Sequence, residues 1–369
     1  MLRFPMKSTV AVCAAALLTV VASIDPAGAQ ALSANEKLYA DLAKMAPQDR
    51  QKALEAGAAK ENKLNFINHA GGRGKNIVQT FSKQYSISEN NIDGPNVSAP
   101  DAAERLWVEE AAGRHLTDLI ITASPLDFGR HFEKNLIARY PTPANDRILA
   151  RYKIFTDPQN RWVIYNMEEH GISYNTNLVK PEDAPKAWTD LCNPKYKGKV
   201  SYDPAEPIFL AALWTMLGED KTRDLLDCIG KNQPLIQKGH SDRLLLMFAG
   251  DHWVQGDNFL YRGDLERKQA AAKGDSQAAP FKAVYEAPVL ASALASIINT
   301  NTPNPHTTAL MADWLLSETI QKSLIGENRG VATLPHPFVP ESAQLIAIQM
   351  PPNDAMERLH GYWVKSIGM

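Results

Sequence analysis

The sequence predicts an α/β fold with two domains. Short apolar segments, among them Leu64–Asn68 and Val200–Tyr202, alternate with segments in which apolar residues recur at helical spacing. This alternation is typical of helices packed on a mostly parallel sheet with buried strands. At 369 residues the chain exceeds the size of one average core, so two domains are expected.

The first 29 residues have the features of an export signal. Arg3 and Lys7 precede a short apolar run over residues 10–21, and Ala27-Gly28-Ala29 forms an A-x-A site. This pattern predicts a secretory signal peptide, cleaved after Ala29, and therefore a periplasmic protein. An N-terminal membrane anchor is the alternative. The following residues, 30–61, have the periodicity of two short helices that lead into the first strand.

The composition and the motifs present exclude several functions. Hydrophobic residues make up 44% and charged residues 22% of the chain, and the formal net charge is −2. These values are those of an ordinary globular protein without a broad cationic surface, so no nucleic-acid partner is expected. The motifs G-x-S-x-G, H-E-x-x-H and C-x-x-C are absent. His240, Ser241 and Asp242 are consecutive, and a catalytic triad is assembled in space rather than along the chain. We therefore expect no enzyme and no cofactor, with a periplasmic hydrolase as the open alternative.

Two cysteines remain after removal of the signal peptide, which carries Cys13. They are Cys192 and Cys228, each near one end of a predicted helix. Because an exported protein meets an oxidising compartment, we expect a disulfide between them. Two separately buried thiols are the alternative, since the sequence does not supply the distance between the Cα atoms.

A glycine-rich turn in the first half separates a predicted strand from a predicted helix. The strand Leu64–Asn68 runs into H-A-G-G-R-G-K, and the helix continues to Tyr85. This arrangement directs backbone N–H groups at a ligand, although it has neither the Walker A order nor the dinucleotide-binding spacing. The alternative is a solvated turn. The candidate ligand-binding residues in this turn are His69, Gly71, Gly72 and Arg73.

Three loops in the second half also follow predicted strands. They come after strands at 200–202, 234–237 and 252–255, and the second of them opens a helix that Ser241 is expected to cap. In open α/β sheets, ligands bind outside the carboxyl ends of the strands. The candidate ligand-binding residues in these loops are Asp203, Lys238, His240, Ser241, Asp257, Asn258 and Tyr261.

The run from Gly171 to Val200 resembles a known family. It contains Y-N-T-N-L-V, a proline-rich spacer and W-x-D-L-x-x-P-K-Y-K-G-K-V. This order resembles the inter-lobe crossover of extracellular solute-binding proteins of ABC importers, in the branch for ferric iron, thiamine, phosphonates and polyamines. The earlier run E-x-A-A-G-x-x-x-x-D-L-I-I-T is similar to a helix–strand pair of the same family, and the later run N-P-H-x-x-A-L-x-x-x-W-L-L-S-x-x-x-Q is similar to its late helix–helix corner.

The resemblance implies a type II periplasmic-binding-protein fold, with two α/β lobes joined by hinge strands. Lobe I would comprise residues 62–169 plus 292–335, and lobe II residues 170–291 plus 336–369. The resemblance also implies that Ser124 faces the cleft and that Tyr174 lies beside the hinge. The expected partners are a small solute and an ABC permease in the inner membrane, and the protein is expected to be a monomer.

The charges in the candidate loops favour an anionic or zwitterionic ligand. His69, Arg73, Lys75, Lys238, His240, Arg243 and Arg262 outnumber Asp242 and Asp257, and arginine suits carboxylates and phosphates. Ferric relatives carry adjacent tyrosines after an asparagine; here Asn258 is followed by Phe259 and Leu260, so no metal site is expected and direct iron binding is disfavoured. Iron held with a carrier anion and a non-transport sensor partner remain alternatives. Loss of Arg73 is expected to weaken binding, whereas loss of the surface residue Lys268 is not.

Overall fold

An eleven-stranded mixed sheet organises the part of the chain that the structure, a computed structural model, describes. That part comprises residues 31–68, 73–123, 125–204, 207–275, 277–349 and 351–369, and within it Ser33–Met369 form one compact unit. The predicted signal peptide, residues 1–29, lies outside the described residues. Among the described helices, none combines the length and the apolar character that crossing a membrane requires.

The strands confirm most of the segments expected from the sequence. They are β1 (Leu64–Asn68), β2 (Ile92–Asp93), β3 (Leu119–Thr122), β4 (Val163–Asn175), β5 (Val200–Tyr202), β6 (Leu235–Ile236), β7 (Val254–Phe259), β8 (Phe281–Ala283), β9 (Val289–Ile298), β10 (Gly330–Val331) and β11 (Leu345–Ala347).

The helices cover both faces of the sheet and alternate with the strands along the chain. They are α1 (Ala34–Ala43), α2 (Pro47–Glu61), α3 (Arg73–Tyr85), α4 (Ala99–Ala111), α5 (Gly129–Glu133), α6 (Pro207–Leu217), α7 (Glu219–Lys231), α8 (His240–Ala249), α9 (Leu260–Ala272), α10 (Pro305–Leu315), α11 (Glu318–Gly326) and α12 (Asn353–Ser366). Short 3₁₀ turns fill several connections, including Trp188–Cys192.

The sheet is mixed rather than mostly parallel, which corrects the expectation from the sequence. Its order is β2-β1-β3-β9-β4-β7-β5-β6, with β8 and β10 paired to β4 and β11 paired to β9. The outer pairs β1–β2, β1–β3, β5–β6 and β5–β7 are parallel. The central strands β4 and β9 are antiparallel to each other and to their neighbours β7 and β3. Strand alternation with helices does not reveal this reversal, because it depends on how two distant strands meet.

Strands β4 and β9 pass through two separate hydrophobic clusters. The first, cluster A, includes Met167 of β4 and Ala295 of β9. The second, cluster B, includes Ile172 of β4 and Leu290 of β9. The residues buried in cluster A otherwise come from positions 39–165 and 293–332 of the chain, and those in cluster B from positions 174–290 and 363. Each end of β4 therefore belongs to a different core.

The two lead-in helices pack on cluster A, as the apolar periodicity of residues 30–61 predicts. Ser33 caps α1 in a capping box with Glu36, and Pro47 occupies the first position of α2. At the end of α2, the carboxylate of Glu61 accepts bonds from the backbone N–H groups of His306 and Thr307. These N–H groups belong to the first turn of α10, where a negative charge is favourable.

Two expected elements differ from the structure for local reasons, and one is shortened as the sequence indicates. The sequence indicates a strand over 92–98 that Gly94 and Pro95 break, and β2 indeed ends at Asp93, where Gly94 sits against the ring of Phe66 and Pro95 has no N–H to donate. The helix expected over 127–138 is replaced by a 3₁₀ turn and the short α5, after which Asn135 takes a left-handed conformation with φ of 53°. Strand β7 extends to Phe259 instead of ending at 255.

The expected disulfide between Cys192 and Cys228 is present, and the Cα atoms are 5.6 Å apart. It joins the 3₁₀ turn Trp188–Cys192 to α7. The side-chain amide of Asn232 ties the same two segments together by donating to the carbonyl oxygens of Leu191 and Asn193, at 2.8 and 2.9 Å.

Candidate functional site

The carboxyl ends of two groups of strands point toward each other across the middle of β4. Strand β3 ends at Thr122 opposite Ala295 of β9, which is itself opposite Ile164 of β4. Strand β7 ends at Phe259 opposite His170 of β4. From these registers, β3 runs toward His170 and β7 runs toward Ile164. Six residues of extended strand, about 20 Å, separate the two ends.

The loops that carry the candidate residues start at this gap. Strands β1 and β3 lead into residues 69–72 and 124, and β5 and β6 lead into residues 203 and 237–239. Of the first group, His69, Gly71, Gly72 and Ser124 lie outside the described residues. Arg73 is the first residue of α3, and its side chain also lies outside the description.

His240 and Asn258 form the most closely bonded pair of candidates. His240 Nδ1 is 3.0 Å from Asn258 Oδ1, and Asn258 Nδ2 donates to the His240 carbonyl oxygen at 3.0 Å. Asn258 Oδ1 also accepts the N–H of Phe259 at 2.8 Å. An amide oxygen only accepts, so this geometry assigns a proton to His240 Nδ1. The start of α8 is thereby fixed to β7.

Phe259 packs between two histidine rings. Its ring centroid is 3.9 Å from that of His170 and 4.3 Å from that of His240. Leu260 is fully buried and lies against Gly171, where a Cβ would come within 3.2 Å of it. Both positions that carry tyrosines in ferric relatives are therefore occupied by packing side chains without oxygen, as the sequence indicates.

Asp257 is a buried carboxylate among basic groups. Its Oδ1 is 3.4 Å from Nδ1 of His170, and both residues are almost completely buried. Burial acts to raise the pKa of Asp257, but the nearby His170, Arg243 and His240 outweigh it and lower the pKa. The carboxylate therefore stays charged at neutral pH and balances part of the positive charge around it.

The loop candidates of β5 and β6 divide into bonded and exposed residues. Asp203 Oδ2 accepts the N–H of Gly239 at 2.8 Å, which links the loops that follow β5 and β6. Lys238 and Ser241 are exposed. Ser241 does not cap α8, contrary to expectation; the N-cap is Gly239 with φ of 91°, a conformation that favours glycine, and it makes no side-chain cap bond.

Two candidate tyrosines lie in packed surroundings. Tyr174 is buried in cluster B and belongs to the core. The ring of Tyr261 lies 3.4 Å from the guanidinium carbon of Arg329, and its carbonyl oxygen accepts a bond from Asn328 at 2.9 Å. Lys268 on the same helix bonds to Asn328 Oδ1 at 2.8 Å and to Asp264 at 2.7 Å. Replacing Lys268 would remove these bonds, so Lys268→Ala is not a suitable control for the solute-binding experiment that the sequence suggests.

Two residues of this region were absent from the candidates chosen by sequence. His170 is the only histidine in β4 and lies at the point where β7 ends; the polar run Glu168-Glu169-His170 within this strand was the available signal. Arg243 was counted among the loop charges, but it is completely buried on α8. Arg262, also counted, pairs with Glu266 at 2.6 Å on the surface of α9.

His252, next to this region, predicts a loss of stability in acid. It is buried, its Nε2 has no hydrogen-bond partner among the described residues, and burial together with the charge of Arg243 lowers its pKa to about 4. Between pH 6.5 and 4, His252 binds a proton in the unfolded chain but stays neutral in the folded protein. The free energy of unfolding therefore falls as the pH falls. The expected contribution is about 3 kcal/mol, at 1.4 kcal/mol per pKa unit.

The measurement is denaturant unfolding as a function of pH for the wild type and for His252→Gln. The variant should lose less stability than the wild type between pH 6.5 and 4. His360, exposed on α12, provides the matched control, and His360→Gln should follow the wild type. Parallel curves for the wild type and His252→Gln would contradict the prediction.

The described residues of this region do not form a ready metal site. Within the described ranges, no group of three or more His, Cys, Asp or Glu side chains is arranged to hold a metal ion. The bonded residues of this region instead offer histidine, amide and backbone N–H groups, which suit hydrogen bonding to a polar ligand.

A family model matches the central part of the chain. The model describes a bacterial extracellular solute-binding protein and matches residues 115–337. Among curated proteins, a comparison by sequence finds no match.

Solved structures of low sequence identity share the fold. Iron-bound HitA from Pseudomonas aeruginosa has a TM-score of 0.63 at 16% identity, over 83% of this chain and 99% of that chain. AfuA from Actinobacillus pleuropneumoniae, with exogenous fructose-6-phosphate bound, has a TM-score of 0.59 at 20% identity, over 83% and 99%. Trichodesmium FutA, in complex with iron and citrate, has a TM-score of 0.61 at 16% identity, over 83% and 98%. These likenesses confirm the fold class expected from the sequence.

Proposed function

Since this chain belongs to the bacterial extracellular solute-binding proteins, which bind small solutes and deliver them to ABC permeases, we propose that it captures a small anionic or zwitterionic solute. The proposed site is the gap between the carboxyl ends of β3 and β7. The observation that carries the proposal is the convergence of these strand ends across β4, because α/β sheets bind ligands at such ends. Capture requires no chemical change of the solute, and the protein acts in the periplasm after export.

The division into two lobes follows from the two hydrophobic clusters. Cluster A supports a lobe I of residues 62–169 plus 292–335, and cluster B supports a lobe II of residues 170–291 plus 336–369. Strands β4 and β9 pass from one cluster to the other, so they are the proposed hinge strands. Bending at a few residues of two paired strands is a common way to close a cleft.

The charge of the proposed solute follows from the groups that flank the gap. The first turn of α8 has no side-chain cap, so its backbone N–H groups and the positive end of the helix dipole favour an anion, and Asp242 in the same turn offsets part of that positive charge. Arg73 at the start of α3 stands at the opposite side in the proposed closed form. Carboxylates and phosphates match this combination, and the sugar phosphate bound by AfuA is a ligand of that chemistry.

An iron chelate is the second candidate. The iron-bound HitA and the iron and citrate complex of FutA are structural relatives. Phe259 and Leu260 supply no oxygen to a metal, so this candidate requires a carrier anion that itself ligates the iron. A carrier anion would use the same N–H groups and cationic side chains.

Native mass spectrometry of freshly purified protein distinguishes the candidates. A small organic acid or phosphate ester retained at a one-to-one ratio supports the first proposal. A retained mass that contains iron supports the second. Release of an altered product from any tested solute would support a hydrolase instead, and recovery of the solute unchanged supports a binding protein.

Loss of His240 or Arg73 is expected to weaken solute binding by more than about tenfold, or 1.4 kcal/mol. His240→Ala removes a ring that Asn258 orients, and Arg73→Ala removes a cation at the opposite loop. Isothermal titration with the solute identified by mass spectrometry measures the effect. Lys273→Ala, at an exposed position just after α9, is the control and should bind as the wild type does. Equal, small effects of all three substitutions would count against the site.

A further inference from the structure

A cavity of about 510 Å³ lies away from the proposed cleft. Its walls are the C-terminal half of α9, strand β8 with the residues that follow it, and the segment Pro337–Phe338. None of the candidate cleft residues that the structure describes lines it. The volume falls within the range that small-molecule sites occupy in proteins, and nothing in the proposed solute-binding function uses this space.

One wall of the cavity carries an excess of positive charge. Asp264, Arg267, Lys268 and Ala271 recur at helical spacing along α9 and so share one face. Asp264 bonds to Arg267 Nη2 at 2.6 Å and to Lys268 Nζ at 2.7 Å. Burial acts to raise the pKa of Asp264, but the two cations lower it, so the carboxylate is charged. Two cations against one carboxylate leave one positive charge on this wall, and Lys282 of β8 adds a second positive charge to the cavity.

Arg267 has donors to spare on this wall. Its side chain is 45% exposed, and among the described residues only Asp264 accepts a bond from it. A guanidinium has five N–H groups in a planar fork that matches a carboxylate. The remaining N–H groups of Arg267 are therefore available for a ligand anion.

Three aromatic side chains, Phe281, Tyr285 and Phe338, line other parts of the cavity, beside Thr176, Gln277 and Lys282. Phe281 is buried, and Tyr285 and Phe338 are partly buried. Burial, together with the negative charges of Asp264 and Glu169, raises the pKa of Tyr285. Its phenol is therefore protonated at neutral pH, and the hydroxyl has no hydrogen-bond partner in the part of the chain that the structure describes. A protonated hydroxyl of this kind can donate to an anion.

We propose that this cavity is a second ligand site that binds a small aromatic monocarboxylate. The ring of the ligand packs on Phe281 and Phe338, since aromatic rings stabilise each other in stacked or edge-to-face contact. Its carboxylate accepts bonds from Arg267 and from the hydroxyl of Tyr285. The planar guanidinium fork of Arg267 matches the planar carboxylate in two parallel hydrogen bonds.

Benzoate is the probe for this site, with benzyl alcohol as the comparison that keeps the ring and lacks the charge. On the mature protein, saturation-transfer NMR and isothermal titration should give a Kd for benzoate on the order of 1 mM, as expected for so few atoms. Benzyl alcohol should bind at least about tenfold more weakly, since it forfeits the charged hydrogen bonds.

Substitutions assign the probe to this cavity. Arg267→Ala should weaken benzoate binding by about tenfold, and Tyr285→Phe by about threefold to fivefold. Lys273→Ala, outside the lining, should have no effect. His240→Ala should also leave benzoate binding unchanged while it weakens solute binding, so the two sites are tested independently.

Three results would overturn the proposal. The first is the absence of saturable binding up to about 20 mM benzoate. The second is equal affinity for benzoate and benzyl alcohol. The third is loss of benzoate binding in His240→Ala with unchanged binding in Arg267→Ala and Tyr285→Phe, because the probe would then occupy the cleft. Melting curves of each variant establish that the protein is folded under the conditions of titration.

Discussion

Replacing Asp313 by alanine is expected to lower the free energy of unfolding by about 3–5 kcal/mol. Asp313 on α10 forms a buried ion pair with Arg50 of the lead-in helix α2, and the two side chains are 10% and 9% exposed. Its Oδ1 also accepts bonds from the hydroxyls of Tyr140 at 2.8 Å and Thr142 at 2.6 Å. The substitution leaves a buried guanidinium without its counter-charge, and this accounts for the size of the effect.

The pair itself should contribute far less than the single substitution suggests. The desolvation of two buried charges offsets most of their attraction. The double variant with Arg50→Met and Asp313→Leu should therefore lose much less stability than the sum of the losses in the Arg50→Met and Asp313→Leu single variants. Denaturant unfolding of the four proteins measures this coupling. The exposed pair Asp41–Lys44, with side chains 69% and 74% exposed, is the control, and Asp41→Ala should change stability by less than about 0.5 kcal/mol. A small effect of Asp313→Ala would contradict the assignment of this network as a structural tie.

Removing the disulfide with Cys192→Ala and Cys228→Ala together is expected to cost about 4 kcal/mol. The bond closes a loop between residues 36 positions apart, and opening it gives the unfolded chain more conformations. Because Asn232 still joins the two segments, the native fold should persist in the double variant. Chemical unfolding with and without a reductant measures the loss.

The reductant supplies the internal control. It should destabilise the wild type by about as much as the double substitution does, and it should have no effect on the double variant, which has no bond to reduce. If the fully reduced wild type, verified by a thiol assay, unfolded at the same denaturant concentration as the oxidised protein, the stabilising role of the bond would be refuted.

The sequence predicted most of the elements because their signals are local. The apolar run that became β9 and the Pro47 start of α2 are examples, since side-chain periodicity and a first-turn proline act within a few residues. The errors arise at positions where a contact with a distant residue decides the local structure. Gly256 suggests the start of a loop, but it lies within β7. A glycine is needed there because a Cβ at this position would be 2.1 Å from Cζ of Tyr202.

The candidate site was predicted in part. The loops that follow β5 and β6 were both chosen as candidates, and the structure links them through the bond between Asp203 and Gly239. Tyr174 was a candidate beside the hinge and lies in the core, because β4 is a central strand whose residues are buried on both faces of the sheet. His170 was missed for the complementary reason, since its closeness to Asp257 comes only from the register of β4 with β7.

By itself, the sequence determined the α/β class and the family, because these depend on residue order and periodicity, and it left the pairing of the two cysteines to the structure. Only the tertiary structure decided the direction of the central strands, the meeting of the strand ends across β4 and the surroundings of Asp257. Pairing between segments more than eighty residues apart, as between Gly171 and Asn258, leaves no local pattern in the chain. The free energy of such pairing comes from contacts that form only when the whole sheet is assembled.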